Sequence, residues 1–446
     1  MDRYDSIEDA SAVLAARDPL AARTARDVAT SIAGGDDPAG LSLAGLLHWL
    51  WYGFPMKWLM PDEDRPPVVA AVADFFDVLG RPTYAGWCRS DTTRKVHAAY
   101  RRSDTEGKRA YRKALAASGV EPVDIDEFAW GSFFGPEESA AYTVTERALE
   151  NALAGGRIVP GKVGWKRASE AVVRVVLEGA HPDLPGQRRL DAVTTERLAN
   201  WIDGGRRSPT MSRLRGAVAN HLLHPVPIPV DAADVLEPVL WFCERISVGG
   251  VKFTQKGWLE RSFVHMVARE RDWWTYGGSL PRSEGEFPEL ATLRELVTGC
   301  RLAQREGDHL MLTIAGIDSS RQTGDVWRRV TAQLPGRRPF DRAAFETIML
   351  TALATHEPCP RTDAILTATI ALAEAGWTVS TSSTPPNEHQ VAGAAASGMS
   401  VLRLLGVLDD EDAWRTDRFE LTPAGRALVL AAVRANAAGP RRDLIA

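Results

Sequence analysis

No two of the four cysteines stand close together along the chain: Cys88, Cys243, Cys300 and Cys359 are scattered singly. A zinc knuckle or a dithiol redox motif needs its sulfurs gathered by a tight turn, so this spacing argues against both. Isolated core thiols in a reducing compartment are the expectation. Long hydrophobic runs are lacking too. The most apolar segment, "LLHWLWYGFPMKWLM" from Leu46 to Met60, contains His48, Pro55 and Lys57, and is too short and too polar to cross a bilayer. It reads as a buried helix–turn element. The opening "MDRYDSIEDA" has neither the basic flank nor the apolar stretch of a secretory leader, so a cytoplasmic protein without a membrane partner is expected. Nor is there an excess of basic charge. With 53 Lys and Arg against 58 Asp and Glu, the net charge of −5 excludes a globally basic nucleic-acid coat while leaving local patches open.

Catalytic signatures are equally scarce. No G-x-S-x-G elbow, H-E-x-x-H helix, paired-carboxylate motif or G-x-G-x-x-G turn occurs. "GRIVPGKV" from Gly156 to Val163 satisfies G-x-x-x-x-G-K, but Val163 stands where a Mg²⁺-holding hydroxyl belongs. The segment before it, "TERALENALAGG", is a helix ending at glycine rather than a strand. A helix-to-helix connector is the expectation. His221 and His224 are three apart with a proline next and no third ligand near, which suits a helix end better than a metal site. No enzyme, metal or cofactor is expected.

What the sequence has in quantity is helical periodicity. Apolar residues recur every three or four positions over roughly 7–18, 20–33, 41–52, 66–79, 92–117, 136–154, 165–179, 188–203 and 208–222. Gly80, Pro82, Gly119 and three Gly-Gly pairs supply the stops. A chain of 446 residues is long for one core, so two or three domains are expected. Residues 1–224 read as a helical domain, with a possible internal break near 119–135, ending at the proline-rich "HPVPIPVDAAD".

Beyond that joint the pattern changes. Val235, Leu236, Val239, Leu240, Cys243 and Ile246 make one helical stripe, followed by "VKFT". Leu259, Phe263, Met266 and Val267 make a second stripe, and Leu290, Leu293, Leu296 and Val297 a third behind Pro288. The alternation around Gly307 and Asp308 then predicts a β-hairpin. A parallel order recurs in residues 339–446. Phe345, Ile348 and Met349 open it, Ile365, Thr369 and Leu372 follow, then Val401, Leu404 and Leu405, and last "GVLDDEDAWRTDRFELTPAG". "LTIAG" (312–316) corresponds to "LTPAG" (421–425), and upstream Leu296 and Leu302 are matched to Leu402 and Leu408, with three extra residues in the second copy. Thr313 and Thr422 are expected to end a strand and cap the next turn. The fold class is therefore mainly α: an N-terminal helical domain (1–224) and two winged-helix units, 225–338 and 339–446.

"LTPAGRAL" resembles the wing and final helix of many bacterial winged-helix proteins. The stretches "VKFTQKGWLERSFV", "SEGEFPELATL" and "DVWRRVTAQL" resemble a winged-helix segment, here residues 225–334, of large uncharacterised actinobacterial proteins, some linked to mobile-element passenger domains. The resemblance covers about half the chain. It implies a winged-helix fold and no established activity.

Charge is uneven. From Arg89 to Lys113 nine Lys and Arg face three acids, and from Arg157 to Arg215 twelve face six; residues 114–156 between them hold eight acids and one arginine. Basic helices with Tyr100 and Tyr111 interleaved suit a phosphate backbone. The competing expectation is a solvated face neutralised by the acidic segment beside it. The candidate nucleic-acid contacts are Arg94, Lys95, Arg101, Arg102, Lys108, Arg109, Arg112 and Lys113, with Arg294 and Arg301 from the first winged unit. The second unit is poorly suited to DNA. Its third helix offers Glu388, His389 and Arg403, and its wing carries Asp409, Asp410, Glu411, Asp412 and Asp417 against Arg415 and Arg418. Such a wing repels polyanions. The 14 tryptophans, among them Trp49, Trp51, Trp58, Trp273 and Trp274, are expected in cores. Two function classes follow: a non-enzymatic DNA-associated regulator touching double-stranded DNA through the basic N-terminal helices, and alternatively a scaffold whose winged units bind a protein partner or a second copy.

Overall fold

The computed structural model describes residues 6–441, apart from 126, 133, 205–206, 248, 275–278, 321, 335, 337, 356–357, 379–382 and 410–417, and the side chain of Asp409. The chain is mainly helical. It divides into two compact units, one reaching to Val193 and including Pro440 and Arg441, the other running from Thr194 to Gly439. The four cysteines are buried free thiols, and burial pushes Cys88 and Cys243 up to about 12.

Unit 1 consists of α1 (Ile7–Ala15), α2 (Pro19–Ala33), α3 (Leu43–His48), α4 (Phe54–Lys57), α5 (Arg65–Val78), α6 (Pro82–Cys88), α7 (Asp91–Arg102), α8 (Asp104–Ser118), α9 (Pro136–Ala154), α10 (Trp165–Glu178) and the start of α11 (Arg189–Asp203). A π-helical turn, Trp49–Gly53, joins α3 to α4. It lets the aromatic run predicted as buried turn inward, with Trp51 and Phe54 fully enclosed beside Phe75, Phe76 and Tyr84. Two differences from the periodicity are physical. The helix expected over 92–117 breaks at Ser103, whose φ of −170° and ψ of 155° end α7 while its hydroxyl accepts from Glu106 N to start α8. The Gly80–Pro82 stop is followed at once by α6, because proline is favoured in a first helical turn.

Unit 2 contains the rest of α11, then α12 (Pro209–Leu222), α13 (Ala232–Val235), α14 (Glu237–Ser247), β1 (Val251–Lys252), α15 (Arg261–Glu270), α16 (Pro288–Gly299), β2 (Ala303–Glu306), β3 (His309–Leu312), α17 (Ile314–Ser319) and α18 (Thr323–Gln333). There follow α19 (Pro339–Ala354), β4 (Cys359–Pro360), α20 (Arg361–Glu374), α21 (Glu388–Leu404), β5 (Leu408–Asp409), β6 (Arg418–Leu421) and α22 (Pro423–Ala437). The contact boundary falls at 193–194, whereas the change of pattern in the sequence comes after residue 224. Met211, Leu214, Val218 and Leu222 of α12 enter the same apolar cluster as the helices beyond the prolines. Glu346, buried in α19, ties this packing together by accepting from Trp201 Nε1 (3.0 Å), Arg215 (3.3 Å) and the Asn436 amide.

The two halves of unit 2 repeat one order: helix, short strand, two helices, hairpin. Both sheets are antiparallel, in the orders β1-β3-β2 and β4-β6-β5. The repeat extends to single atoms. The Leu302 carbonyl accepts from Thr313 N (3.0 Å) and its hydroxyl (3.3 Å); the Val407 carbonyl accepts from Thr422 N (3.1 Å) and its hydroxyl (3.5 Å). Each threonine then caps the following helix, at Gly316 N and Gly425 N. A Cβ on Gly316 or Gly425 would lie 1.9 or 2.2 Å from those same carbonyl oxygens, which explains the glycine in both "TIAG" and "TPAG".

This pairing shifts the sequence alignment by one residue. Leu302 corresponds to Val407, not Leu408, and Leu402 corresponds to Val297, not Leu296, since Leu302 N bonds Val297 O as Val407 N bonds Leu402 O. The span to the capping threonine is 11 residues in the first copy and 15 in the second, four more rather than three. Most of the second loop, and with it the acidic run Asp410–Asp412, Arg415 and Asp417, lies outside the described residues.

Arg301 and Gly406 occupy the same left-handed corner, at φ of 57° and 63°. Replacing Arg301 with glycine is expected to stabilise unit 2 by up to about 1 kcal/mol. Gly316→Ala and Gly425→Ala are each expected to cost about 1–3 kcal/mol or more. Urea unfolding followed by circular dichroism measures all three.

Candidate nucleic-acid interface

The α7–α8 hairpin is fixed from its inner side. Ser90 caps α7 by accepting from Thr93 N (3.1 Å). The Thr93 hydroxyl donates to Trp87 O (2.7 Å) and accepts from Trp51 Nε1 (2.9 Å). His97 Nε2 lies 2.8 Å from Leu50 O, and burial above all holds this imidazole below its ordinary range. Gly107 lets α8 close onto the Tyr100 ring, where an added Cβ would sit 2.1 Å from a ring carbon. Tyr111, half-buried on α8, places its hydroxyl 3.0 Å from His48 Nδ1. Both interleaved tyrosines therefore face inward and are not offered for stacking on bases.

With the inner face committed, the cations point outward. Arg94 pairs with Asp91 inside α7, whereas Arg102 at the end of α7 pairs with Glu106 in α8. Lys95, Arg101, Arg109, Arg112 and Lys113 are exposed and Lys108 is half-buried; among the described residues these six make no ion pair. On α8, Lys108 and Arg112 are one turn apart, as are Arg109 and Lys113. Such like-charged neighbours each cost about 0.2–0.5 kcal/mol on a helix.

The acidic segment does not neutralise them. Asp124 accepts from Trp130 N (2.9 Å), Glu127 pairs with Arg174 (2.6 Å) and Glu137 lies 2.8 Å from His181 Nε2. Buried Glu138 accepts from Gly131 N (3.0 Å), and Glu150 from the Tyr84 hydroxyl (2.6 Å) and Leu43 N (3.0 Å). Glu121 and Glu146 are drawn inward instead. Burial raises Glu121, while burial followed by the neighbouring Glu121 and Glu150 pushes Glu146 up to about 7. Asp126 lies outside the described residues.

The two candidates of unit 2 are placed differently. Arg294 pairs with the carboxylate of Glu284, which is 1% exposed and also accepts from Leu259 N (2.8 Å). It serves the fold. Arg301 is exposed, and its carbonyl accepts from the Thr313 hydroxyl (2.8 Å). Helix α16 packs against α21 and exposes only Pro288 and Glu295, so the third helices of the two repeats are engaged with each other. In the first hairpin, Arg305 lies over the Phe253 ring (4.9 Å) and Asp308 meets His309 (2.7 Å).

"GRIVPGKV" connects α9 to α10, with Ile158 buried against Leu149 and Ala152. His221 and His224 are exposed at the end of α12, and no group of three potential metal ligands occurs among the described residues. Trp49 and Trp51 are buried; Trp58, Trp273 and Trp274 are half-buried against cores. No helix among the described residues is long and apolar enough to cross a membrane. Sequence reasoning missed the inward carboxylates Glu121, in the loop after α8, and Glu146, on α9, because an acid in either setting looks the same whether it meets water or tyrosines.

The folded value of Glu146 exceeds its unfolded one. Its contribution to stability is therefore complete below about pH 4.5, the ordinary carboxyl value, and is lost as pH rises through about 7. Glu146→Gln is expected to raise the melting temperature at pH 8 and to flatten the decline between pH 5 and 8, as read by thermal melts across that range. Comparison with family models, with curated proteins and with solved structures finds no match to the chain.

Proposed function

We propose that this chain is a non-enzymatic, DNA-associated regulatory protein in which the outer face of α7–α8 contacts the phosphates of a duplex. One observation carries the reading: among the described residues Lys95, Arg101, Lys108, Arg109, Arg112 and Lys113 make no ion pair, while the described acids of residues 114–156 are bonded elsewhere or drawn inward. A helix that accumulates uncompensated like charges gains by meeting a polyanion, because each neutralised phosphate releases condensed counterions. With Tyr100 and Tyr111 turned inward, the contact is sequence-tolerant and electrostatic.

The same proposal reads the two repeats of unit 2 as tandem winged-helix units. Their element order, their shared strand order and the duplicated Thr-x-x-Gly corner support it. Standard docking would send a third helix into the major groove, yet α16 rests on α21 and Arg294 is committed to Glu284. That packing favours a second role for unit 2, as an interaction scaffold rather than a base reader.

Anisotropy of a labelled random duplex, titrated across salt, tests the phosphate contact. Wild-type affinity is expected to fall steeply with salt. Arg101→Glu, Arg109→Glu, Arg112→Glu and Lys113→Glu combined are expected to abolish binding at low ionic strength, and single neutral replacements to lower the log–log slope by about 1 each. Unchanged affinity in the fourfold variant would show the face to be solvated surface only.

A further inference from the structure

Unit 2 holds an open groove of about 560 Å³ between α14 and the corner where β3 runs into α17. Leu240 and Trp241 form one wall, and Leu312 and Ile317 the other. Ile317 is 45% exposed, so an apolar side chain of the lining stands in water. Trp241 is held rigidly, with the Arg271 guanidinium 4.1 Å from its ring centre and Trp273 edge-on at 6.1 Å. Among the described residues the lining contains two carboxylates, Glu237 and Glu244, and no lysine or arginine. Glu237 is paired with Arg271 (2.6 Å). Glu244 is exposed without an ion pair among the described residues, and exposed Asp318 adjoins Ile317 on the facing wall.

We infer that this groove docks a short amphipathic helix from a protein partner, its apolar residues seated between Trp241 and Ile317 and a lysine or arginine reaching Glu244. The charge of the lining selects a basic partner, and a rigid aromatic beside an exposed isoleucine is the kind of anchor pocket where binding energy concentrates. The occupant is a helix rather than an added strand. β3 is paired with β2 along its whole length and with β1 at His309 and Leu310, leaving little edge for an extended peptide to bond. A helix satisfies its own backbone and offers side chains one turn apart. The inference gives a surface and a partner class to the scaffold role of unit 2. It is independent of the phosphate contacts in unit 1.

The test uses the full chain and a fluorescein-labelled peptide of about 14 residues, roughly four turns, with leucines on one face and lysines on the other. Anisotropy at roughly 0.1 M salt is expected to show saturable binding. Ile317→Asp and Glu244→Lys are each expected to weaken it at least about tenfold. Both side chains are exposed, so the variants should keep the wild-type melting profile. Asp363→Lys, an exposed acid on α20, is expected to leave affinity unchanged, and a leucine–glutamate peptide is expected not to bind. Absence of binding, or equal loss with Asp363→Lys, or no loss with Ile317→Asp and Glu244→Lys, overturns the proposal; the last two would mark a diffuse attraction of cations to an acidic surface. Duplex binding by the α7–α8 face is read separately and is untouched by any of these outcomes.

Discussion

The described carboxylates of residues 121–150 are used up inside unit 1, and the electrostatics of its surface follow from that. Asp124, Glu138 and Glu150 accept from backbone or tyrosine donors, Glu127 holds Arg174, and Glu121 and Glu146 sink among side chains. Had they met α7 and α8, the two segments would have neutralised each other. Instead the hairpin keeps its inner face closed by Thr93, His97, Tyr100 and Tyr111 and leaves six cations to the solvent. Exposed charges of one sign cost a little folding energy and gain a long-range field, an exchange that suits recognition of a polyanion.

Unit 2 rests on a different constraint, the close approach of a helix start to a strand-entry carbonyl. At Gly316 and Gly425 there is no room for a Cβ, and a threonine hydroxyl is needed to satisfy the amide that the turn leaves open. Repeating this corner fixes where each hairpin meets the helix that follows it. The helices preceding the hairpins, α16 and α21, then pack on each other within a single apolar cluster. The two repeats are thereby held to each other, and the first repeat carries the groove beside Trp241.

The fold was legible wherever a residue type answers to one backbone need. Gly119 ended α8, Pro288 opened α16, and Thr313 and Thr422 capped the helices after their hairpins. The corner alignment slipped by one because leucine and valine look alike to a periodic pattern; only the carbonyl that each threonine meets, Leu302 or Val407, sets the match. Ser103 was invisible for a related reason, since a serine inside a polar helical run gives no sign that its φ and ψ turn extended. At the candidate site the charges were legible and their partners were not. Arg294 looked like a phosphate contact until its pairing with Glu284, ten positions back, was seen. The acidic segment looked like a neutralising neighbour because sequence proximity says nothing about which way a carboxylate faces.

Lysine acetylation footprinting with and without duplex DNA, read peptide by peptide, bears most directly on the central claim that the outer face of α7–α8 meets phosphate. Lys95, Lys108 and Lys113 are expected to lose reactivity in the presence of duplex and regain it at high salt, while Lys252 and Lys256 in unit 2 stay as reactive as before. Equal reactivity of Lys95, Lys108 and Lys113 in both conditions, under salt low enough for binding, would contradict the claim.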